Sequence, residues 1–274
     1  MSNDCVEAFV ASEPWPRLLV FRMRGGESPF RICRDEPWTG LRTWFLEPDQ
    51  NDMSGLPAQQ AAQCLILDSL SVRLQGTVEP QSNLCLAVNL ALDPTLPLLS
   101  ITHRLTNHAG ERRRIALWAI CALARDGVGI VPHSESEESA PVLWPGFSMN
   151  DRCLRVGRQA LAVDFREPPD TGVFKVGIRS DAGWIACLWP GGVMVSSVAV
   201  NREAEYPEGG GTVTMFSTGS REEEGWGEIE NVGPLTEVGE GEAVVMQQQL
   251  RLLTAVSFAG DDPDRWMAEG WGDG

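Results

Sequence analysis

The sequence of 274 residues carries 38 acidic and 22 basic side chains, a formal net charge of −16, and 43% hydrophobic residues. This composition is typical of a globular protein that is long enough to build one large β-sheet domain. The negative charge disfavours nucleic acid and an anionic membrane surface as partners, because phosphate groups require a basic footprint.

Short apolar runs, many of them alternating with polar residues, recur along nearly the whole chain. In chain order they cover 17–23, 41–46, 64–67, 71–78, 84–92, 98–105, 114–123, 154–156, 160–165, 173–178, 184–188, 193–200, 212–216, 228–232 and 243–253. Clusters of turn-forming residues separate these runs, and only 55–62 and 264–269 are candidates for short turns or helices. The pattern predicts an all-β fold, namely a large antiparallel β-sandwich with minimal helix.

The domain organisation follows from what lies between these runs. No low-complexity linker divides the chain, so we predict one domain over 1–274, with about 262–274 as a terminal tail. The acidic segment 132–145 is predicted to be a solvated loop, and its alternative interpretation is a rim loop over a binding site.

The cysteines and the first residues bear on the compartment. Seven cysteines occur singly and never as CxxC, no run of eighteen apolar residues occurs, and the start lacks the features of a signal peptide. We therefore expect a cytoplasmic protein with reduced thiols. The three histidines show no ligand spacing with any cysteine, so we expect neither a metal site nor a cofactor.

The segment near the C-terminus is the most informative part of the sequence. It reads GEIENVGPL at 227–235, VGEGE at 238–242, and then an alternating run that includes Leu250. Glu228 and Glu230 have the same strand parity and share one face. This order resembles the C-terminal segment of the galactose mutarotase-like (aldose 1-epimerase) superfamily, in which a Leu-Glu-x-x-x-x-Pro element carries the catalytic base. The resemblance places Glu230 at that base.

Further elements resemble an uncharacterised branch of the same superfamily in the same order. They read GLRTWFLEPD at 40–49, VFKVG at 173–177 and YPEGG at 206–210. Arg42 and Trp44 would place a polar fork beside an aromatic platform for a sugar ring, and Lys175 would contact a sugar oxygen or a sugar carboxylate. Their structural alternatives are an arginine of the scaffold, a core tryptophan and a surface lysine.

One departure from the family concerns the general acid. In active mutarotases the central hairpin ends in a histidine that protonates the ring oxygen, but here the matching stretch reads ALW at 116–118. The indole N–H of Trp118 cannot act as a general acid near neutral pH. His133 follows the strand after this hairpin and is the candidate replacement, with a surface loop histidine as its alternative.

The resemblance implies a carbohydrate-binding protein whose activity stays open. It is either an aldose epimerase or mutarotase that acts on a hexose or related sugar, or a non-catalytic sugar-binding module. A structural β-sandwich that works through protein contacts is the third interpretation. The predicted site residues are Glu230 and His133 as catalytic groups, and Arg42, Trp44, Trp118, Lys175 and Glu228 as sugar-binding groups. The sequence leaves the oligomeric state open.

Overall fold

Strands account for most of the regular structure. The computed structural model describes residues 1–32, 36, 38–48, 56–133, 141–144, 146–207, 209–220, 225–254 and 262–269. Its strands are β1 (Val6–Ala11), β2 (Arg17–Met23), β3 (Gly40–Leu46), β4 (Gln63–Ile66), β5 (Ser71–Val78), β6 (Leu84–Leu92), β7 (Leu98–Asn107), β8 (Arg113–Leu123), β9 (Val128–Pro132), β10 (Val142–Leu143), β11 (Leu154–Val156), β12 (Ala160–Asp164), β13 (Val173–Ile178), β14 (Trp184–Trp189), β15 (Gly192–Val198), β16 (Val213–Thr218), β17 (Gly227–Val232), β18 (Thr236–Val238) and β19 (Ala243–Leu253).

Helix is confined to two short segments in this part of the chain. A 3₁₀ turn spans Leu56–Gln59, and the helix α1 spans Pro263–Glu269. The first falls within the predicted segment 55–62, and the second matches the predicted segment 264–269 but begins one residue earlier. None of the helices in the described ranges is long and apolar enough to cross a membrane.

Two antiparallel sheets form the sandwich, and this confirms the predicted fold class. The first sheet has nine strands in the order β1-β2-β3-β8-β17-β16-β13-β10, with β18 paired to β8. The second has ten strands in the order β11-β12-β9-β14-β15-β19-β7-β6-β5-β4. Strands that are distant in sequence are therefore neighbours in the first sheet, where β8 pairs with β3 on one side and β17 on the other.

The burial of each strand reflects its sequence pattern. In β7 and β19 buried residues alternate with exposed or half-buried ones, because one face of these strands points away from the core. In contrast, β8 carries an almost continuous apolar run and is buried on both faces over 115–123. β17 is also buried along its whole length although it carries two glutamates, so their charges must be compensated locally.

The hydrophobic core lies between the two sheets, and each outer face is also partly covered. On the second sheet, Trp266 of α1 is 1% exposed and packs on residues of β9, β12 and β14. The carboxylate of Asp264 anchors this helix by accepting hydrogen bonds from the backbone N–H groups of residues 158–160. The outer face of the first sheet is covered differently, by a cluster of aromatic and charged side chains.

Candidate functional site

Five neighbouring strands of the first sheet bring the candidate site together on one outer face. In sheet order, β3 contributes Arg42 and Trp44, β8 contributes Trp118, β17 contributes Glu228 and Glu230, β16 contributes Thr214 and Phe216, and β13 contributes Lys175. The pairing register aligns these positions across the sheet: Trp44 pairs with Trp118, Glu230 with Thr214, and Phe216 with both Glu228 and Lys175. Because side chains alternate along a strand, equal parity places all of them on the same side.

The start of β3 shows why the local sequence fixes this arrangement. Gly40 has a φ of +69°, and a Cβ atom there would lie 2.2 Å from the carbonyl oxygen of Leu18. Only glycine is compatible with both the conformation and the close approach of β2. Two residues later the strand is regular, and Arg42 points out of the sheet next to β8.

A cavity of about 220 Å³ lies over this face. Its lining residues are Trp38, Arg42, Trp44, Trp118, Ile120, Lys175, Phe216, Glu228 and Glu230. Three of the indole rings form a continuous edge-to-face series: the ring centroids of Trp38 and Trp44 are 5.3 Å apart, and those of Trp44 and Trp118 are 5.6 Å apart. One wall of the cavity is therefore aromatic, and its floor is charged.

The first ion pair of the floor joins Arg42 and Glu228. Nη2 of Arg42 donates to Oε1 of Glu228 over 2.7 Å, and Nε1 of Trp226 donates to the same oxygen over 3.1 Å. The guanidinium also stacks on Trp38 and Trp44, at 5.6 and 5.0 Å from the ring centroids. Burial raises the pKa of Glu228, while the charge of Arg42 opposes this shift.

The second ion pair joins Lys175 and Glu230. The ammonium nitrogen of Lys175 is 3.4 Å from Oε2 of Glu230. The same oxygen accepts hydrogen bonds from Nε1 of Trp118, over 2.9 Å, and from the hydroxyl group of Thr214. The Lys175 ammonium lies 4.3 Å from the ring centroid of Trp118 and 4.6 Å from that of Trp144, so cation–π contacts also hold it in place.

Six of the seven residues predicted from the sequence line this cavity. The seventh, His133, is not brought to it. His133 follows β9, which belongs to the second sheet, and its backbone N–H donates to the carbonyl oxygen of Gln159. The expectation that His133 replaces the missing acid beside Glu230 is therefore not met, because the chain crosses to the opposite sheet before it reaches this residue.

The structure also adds residues that the sequence did not single out: Trp38, Trp144, Thr214, Phe216 and Trp226. Thr214 and Phe216 have the parity of a site face, but only the pairing of β16 with β17 brings them beside the glutamates. The tryptophans come from segments that flank the strands. Besides Trp44, the sequence signal for an aromatic wall is its content of ten tryptophans and a single tyrosine.

Comparison with solved structures identifies the fold. The chain is similar to a galactose mutarotase-like protein from Lactobacillus casei ATCC 334, with a TM-score of 0.65 and 12% identity over 92% of this chain and 99% of that chain. A galactose mutarotase-like protein from Clostridium acetobutylicum gives a TM-score of 0.58 at 10% identity, over 93% of this chain and 94% of that chain. A galactose mutarotase related enzyme from Lactobacillus acidophilus gives 0.57 at 7% identity, over 93% and 97%.

No protein-family model matches the sequence, and no curated protein matches it. The relation is therefore carried by the architecture, which extends over nearly the full length of this chain and of the three solved structures. The chain has the fold of the galactose mutarotase-like proteins, as the motifs at 40–49 and 227–235 predicted.

Proposed function

We propose that this protein binds an uncharged monosaccharide in the cavity over β3, β8 and β17. The observation that supports this most directly is the convergence of Arg42, Glu228, Lys175 and Glu230 beneath a wall of indole rings. Indole rings offer an apolar surface to one face of a pyranose ring. Charged groups offer strong hydrogen bonds to the hydroxyl groups at its edge.

The size of the cavity favours a single sugar ring. Its volume of about 220 Å³ is below the roughly 300–1,000 Å³ that is usual for sites that enclose a drug-sized ligand. An oligosaccharide would have to extend beyond the cavity over Trp38, which is 39% exposed at its rim.

The charges favour a neutral ligand over a sugar phosphate or sugar acid. The cation of Arg42 is matched by Glu228 at 2.7 Å, and that of Lys175 by Glu230 at 3.4 Å. An anionic group in the cavity would approach two carboxylates whose countercharges are already engaged. The net charge of −16 adds a general repulsion of anions.

A mutarotase activity is the second candidate, and the position of Lys175 favours it. Trp118 stands where the resemblance places a histidine, and it donates its N–H to Glu230 instead of supplying a proton. The ammonium group of Lys175, the only lysine in the sequence, lies beside the same carboxylate. In this scheme Glu230 takes the proton of the anomeric hydroxyl group, the bond from the anomeric carbon to the ring oxygen breaks, and Lys175 protonates the ring oxygen.

Titration with sugars tests the binding proposal. Binding of galactose and glucose, and in parallel of glucose 6-phosphate and glucuronate, would be measured by tryptophan fluorescence and by calorimetry. We expect binding of a neutral hexose and weaker binding of the anions. Glu230→Gln should lower the affinity by about tenfold to a hundredfold, because it removes a charged acceptor. Glu237→Gln is the control, since that carboxylate is a surface group of β18.

The outcomes separate the candidates. A wild-type protein that binds none of these sugars would refute the proposal, and tighter binding of glucose 6-phosphate would refute the neutral ligand class alone. Polarimetry of freshly dissolved α-galactose tests the second candidate. Lys175→Met should then reduce the rate by about 10²–10⁴, the usual contribution of a positioned proton donor. A wild-type protein that binds the hexose without accelerating its mutarotation would refute the mutarotase activity. Sugar binding would then stand as the function.

A further inference from the structure

The inner faces of the two strands that carry the ion pairs hold a second polar cluster. Thr43 lies between Arg42 and Trp44 on β3, and Asn231 follows Glu230 on β17, so both point into the sandwich. Thr43 is 4% exposed and Asn231 is 1% exposed. Side chains from the opposite sheet meet both of them.

A continuous series of hydrogen bonds connects these two residues through the second sheet. Oγ1 of Thr43 is 2.7 Å from Nδ1 of His103, and Nε2 of His103 is 2.9 Å from Oε1 of Gln248. Nε2 of Gln248 donates to Oγ of Ser196 over 2.8 Å and to Oδ1 of Asn231 over 3.2 Å. The hydroxyl group of Ser196 also donates to Oδ1 of Asn231.

The direction of donation in this series is determined. Because the Gln248 amide nitrogen is used as a donor, its oxygen accepts from Nε2 of His103, and Nδ1 of His103 then accepts from the Thr43 hydroxyl group. Burial lowers the pKa of His103 to about 4, which keeps the ring neutral and allows this tautomer. Every donor in the series therefore points from β3 towards β17.

The strands that this series of hydrogen bonds joins are more informative than the free energy that the bonds contribute. His103, Gln248 and Ser196 stand on β7, β19 and β15, which are adjacent strands of the second sheet. All three are at most 1% exposed. Apolar side chains of the same volume would stabilise such an interior at least as well, whereas directional hydrogen bonds accept only a narrow range of separations. Strands β3 and β17 are thus both held at fixed distances from the same three strands of the second sheet.

We propose that the series Thr43–His103–Gln248–Ser196–Asn231 is a positioning device for the sugar site. It fixes the distance of β3 and β17 from the second sheet. It thereby also fixes the positions of Arg42, Glu228 and Glu230, which point to the other side of these two strands, and so the geometry of both ion pairs. These five are positioning residues, since none of them lines the cavity. The inference rests on the proposed function, because its effect is measured as sugar affinity.

Two substitutions at Thr43 separate positioning from bulk stability. Thr43→Val keeps the shape and removes the hydroxyl group, so we expect the affinity for the neutral hexose to fall by about fivefold to tenfold, as small misplacements of binding groups are costly. Thr43→Ser loses a methyl group from the core but keeps the hydroxyl group. It should therefore lower the urea midpoint and leave the affinity within about twofold of wild type.

A second pair of variants keeps the test independent of how well the Thr43 variants fold. Ser196→Ala removes the hydroxyl group that accepts from Gln248 and donates to Asn231, so only the direct 3.2 Å contact between Gln248 and Asn231 remains there, and hexose binding should also weaken. Ser217→Ala is its matched control, because Ser217 of β16 is 1% exposed and its hydroxyl group has no hydrogen-bond partner within the described ranges. Its affinity should equal that of the wild type.

The outcomes distinguish the inference from the function on which it rests. Weaker binding by Thr43→Val and Ser196→Ala, with unchanged binding by Thr43→Ser and Ser217→Ala, supports the positioning role. Equal affinity in all four variants overturns this inference and leaves the sugar site standing. An affinity that merely tracks the urea midpoint also overturns it. A wild-type protein that binds no hexose overturns both.

Discussion

The buried ion pair between Arg42 and Glu228 allows a quantitative prediction for Arg42→Met. The two side chains are 5% and 8% exposed, so neither charge is well solvated when its partner is removed. Breaking a buried pair by removing one partner typically costs about 3–5 kcal/mol, because the remaining charge stays uncompensated. We expect Arg42→Met to lower the free energy of unfolding by about this amount at pH 8.

The pH dependence of this loss identifies its cause. Burial already raises the pKa of Glu228 in the presence of Arg42, and without that cation the folded-state value rises further. A carboxyl group with a raised folded-state pKa destabilises the protein above that pKa, and the penalty vanishes as the pH falls towards the unfolded value. The loss in Arg42→Met relative to wild type should therefore shrink between pH 8 and pH 5.

Equilibrium urea unfolding followed by circular dichroism at both pH values measures this loss. The double variant Arg42→Met with Glu228→Gln should recover most of the stability, because it buries no unpaired charge. Arg112→Met is the control, since the Arg112–Glu237 pair is 65% and 59% exposed and should contribute at most about 1 kcal/mol. A loss at pH 8 no larger than that of the control, or one that does not change with pH, would refute the reasoning.

Three further predictions concern neighbouring parts of the structure. Burial lowers the pKa of His103 to about 4, so the unfolded chain binds one more proton than the folded chain between about pH 6.5 and pH 4. The free energy of unfolding should therefore fall by about 3 kcal/mol as the pH drops across that window. Urea titrations of His103→Gln should lack this pH dependence. Gly227→Ala would place a Cβ atom 2.2 Å from Cγ of Phe165 and should cost about 1–3 kcal/mol by overpacking, whereas Gly110→Ala, with nothing within 4 Å, should be neutral in thermal unfolding. Trp118→Phe keeps an aromatic ring but loses the donor to the buried glutamate, so calorimetry should show hexose affinity reduced by about tenfold, and an unchanged affinity would contradict the site geometry.

Local sequence patterns predicted fifteen of the nineteen strands in the described ranges and the faces of those that carry the site, but they missed β1, β9, β10 and β18. The short strand β10 lies in the segment 132–145 that was predicted as a loop. Alternation placed Glu228 with Glu230, and Arg42 with Trp44, on common faces, because side chains of a β-strand repeat every two residues. The motif at 227–235 also predicted the fold that the solved structures confirm. These features depend on residues close together in the chain.

The tertiary structure alone decided which faces meet. The order β3-β8-β17-β16-β13 brings together residues that are far apart in the chain, such as Arg42 and Glu228, which are 186 positions apart. The same topology adds Thr214 to the site and takes His133 to the opposite sheet. Strand parity repeats identically in every strand, so it carries no information about which strand lies next to which. That choice depends on the packing of the whole sandwich, and it determined that a lysine stands beside Glu230.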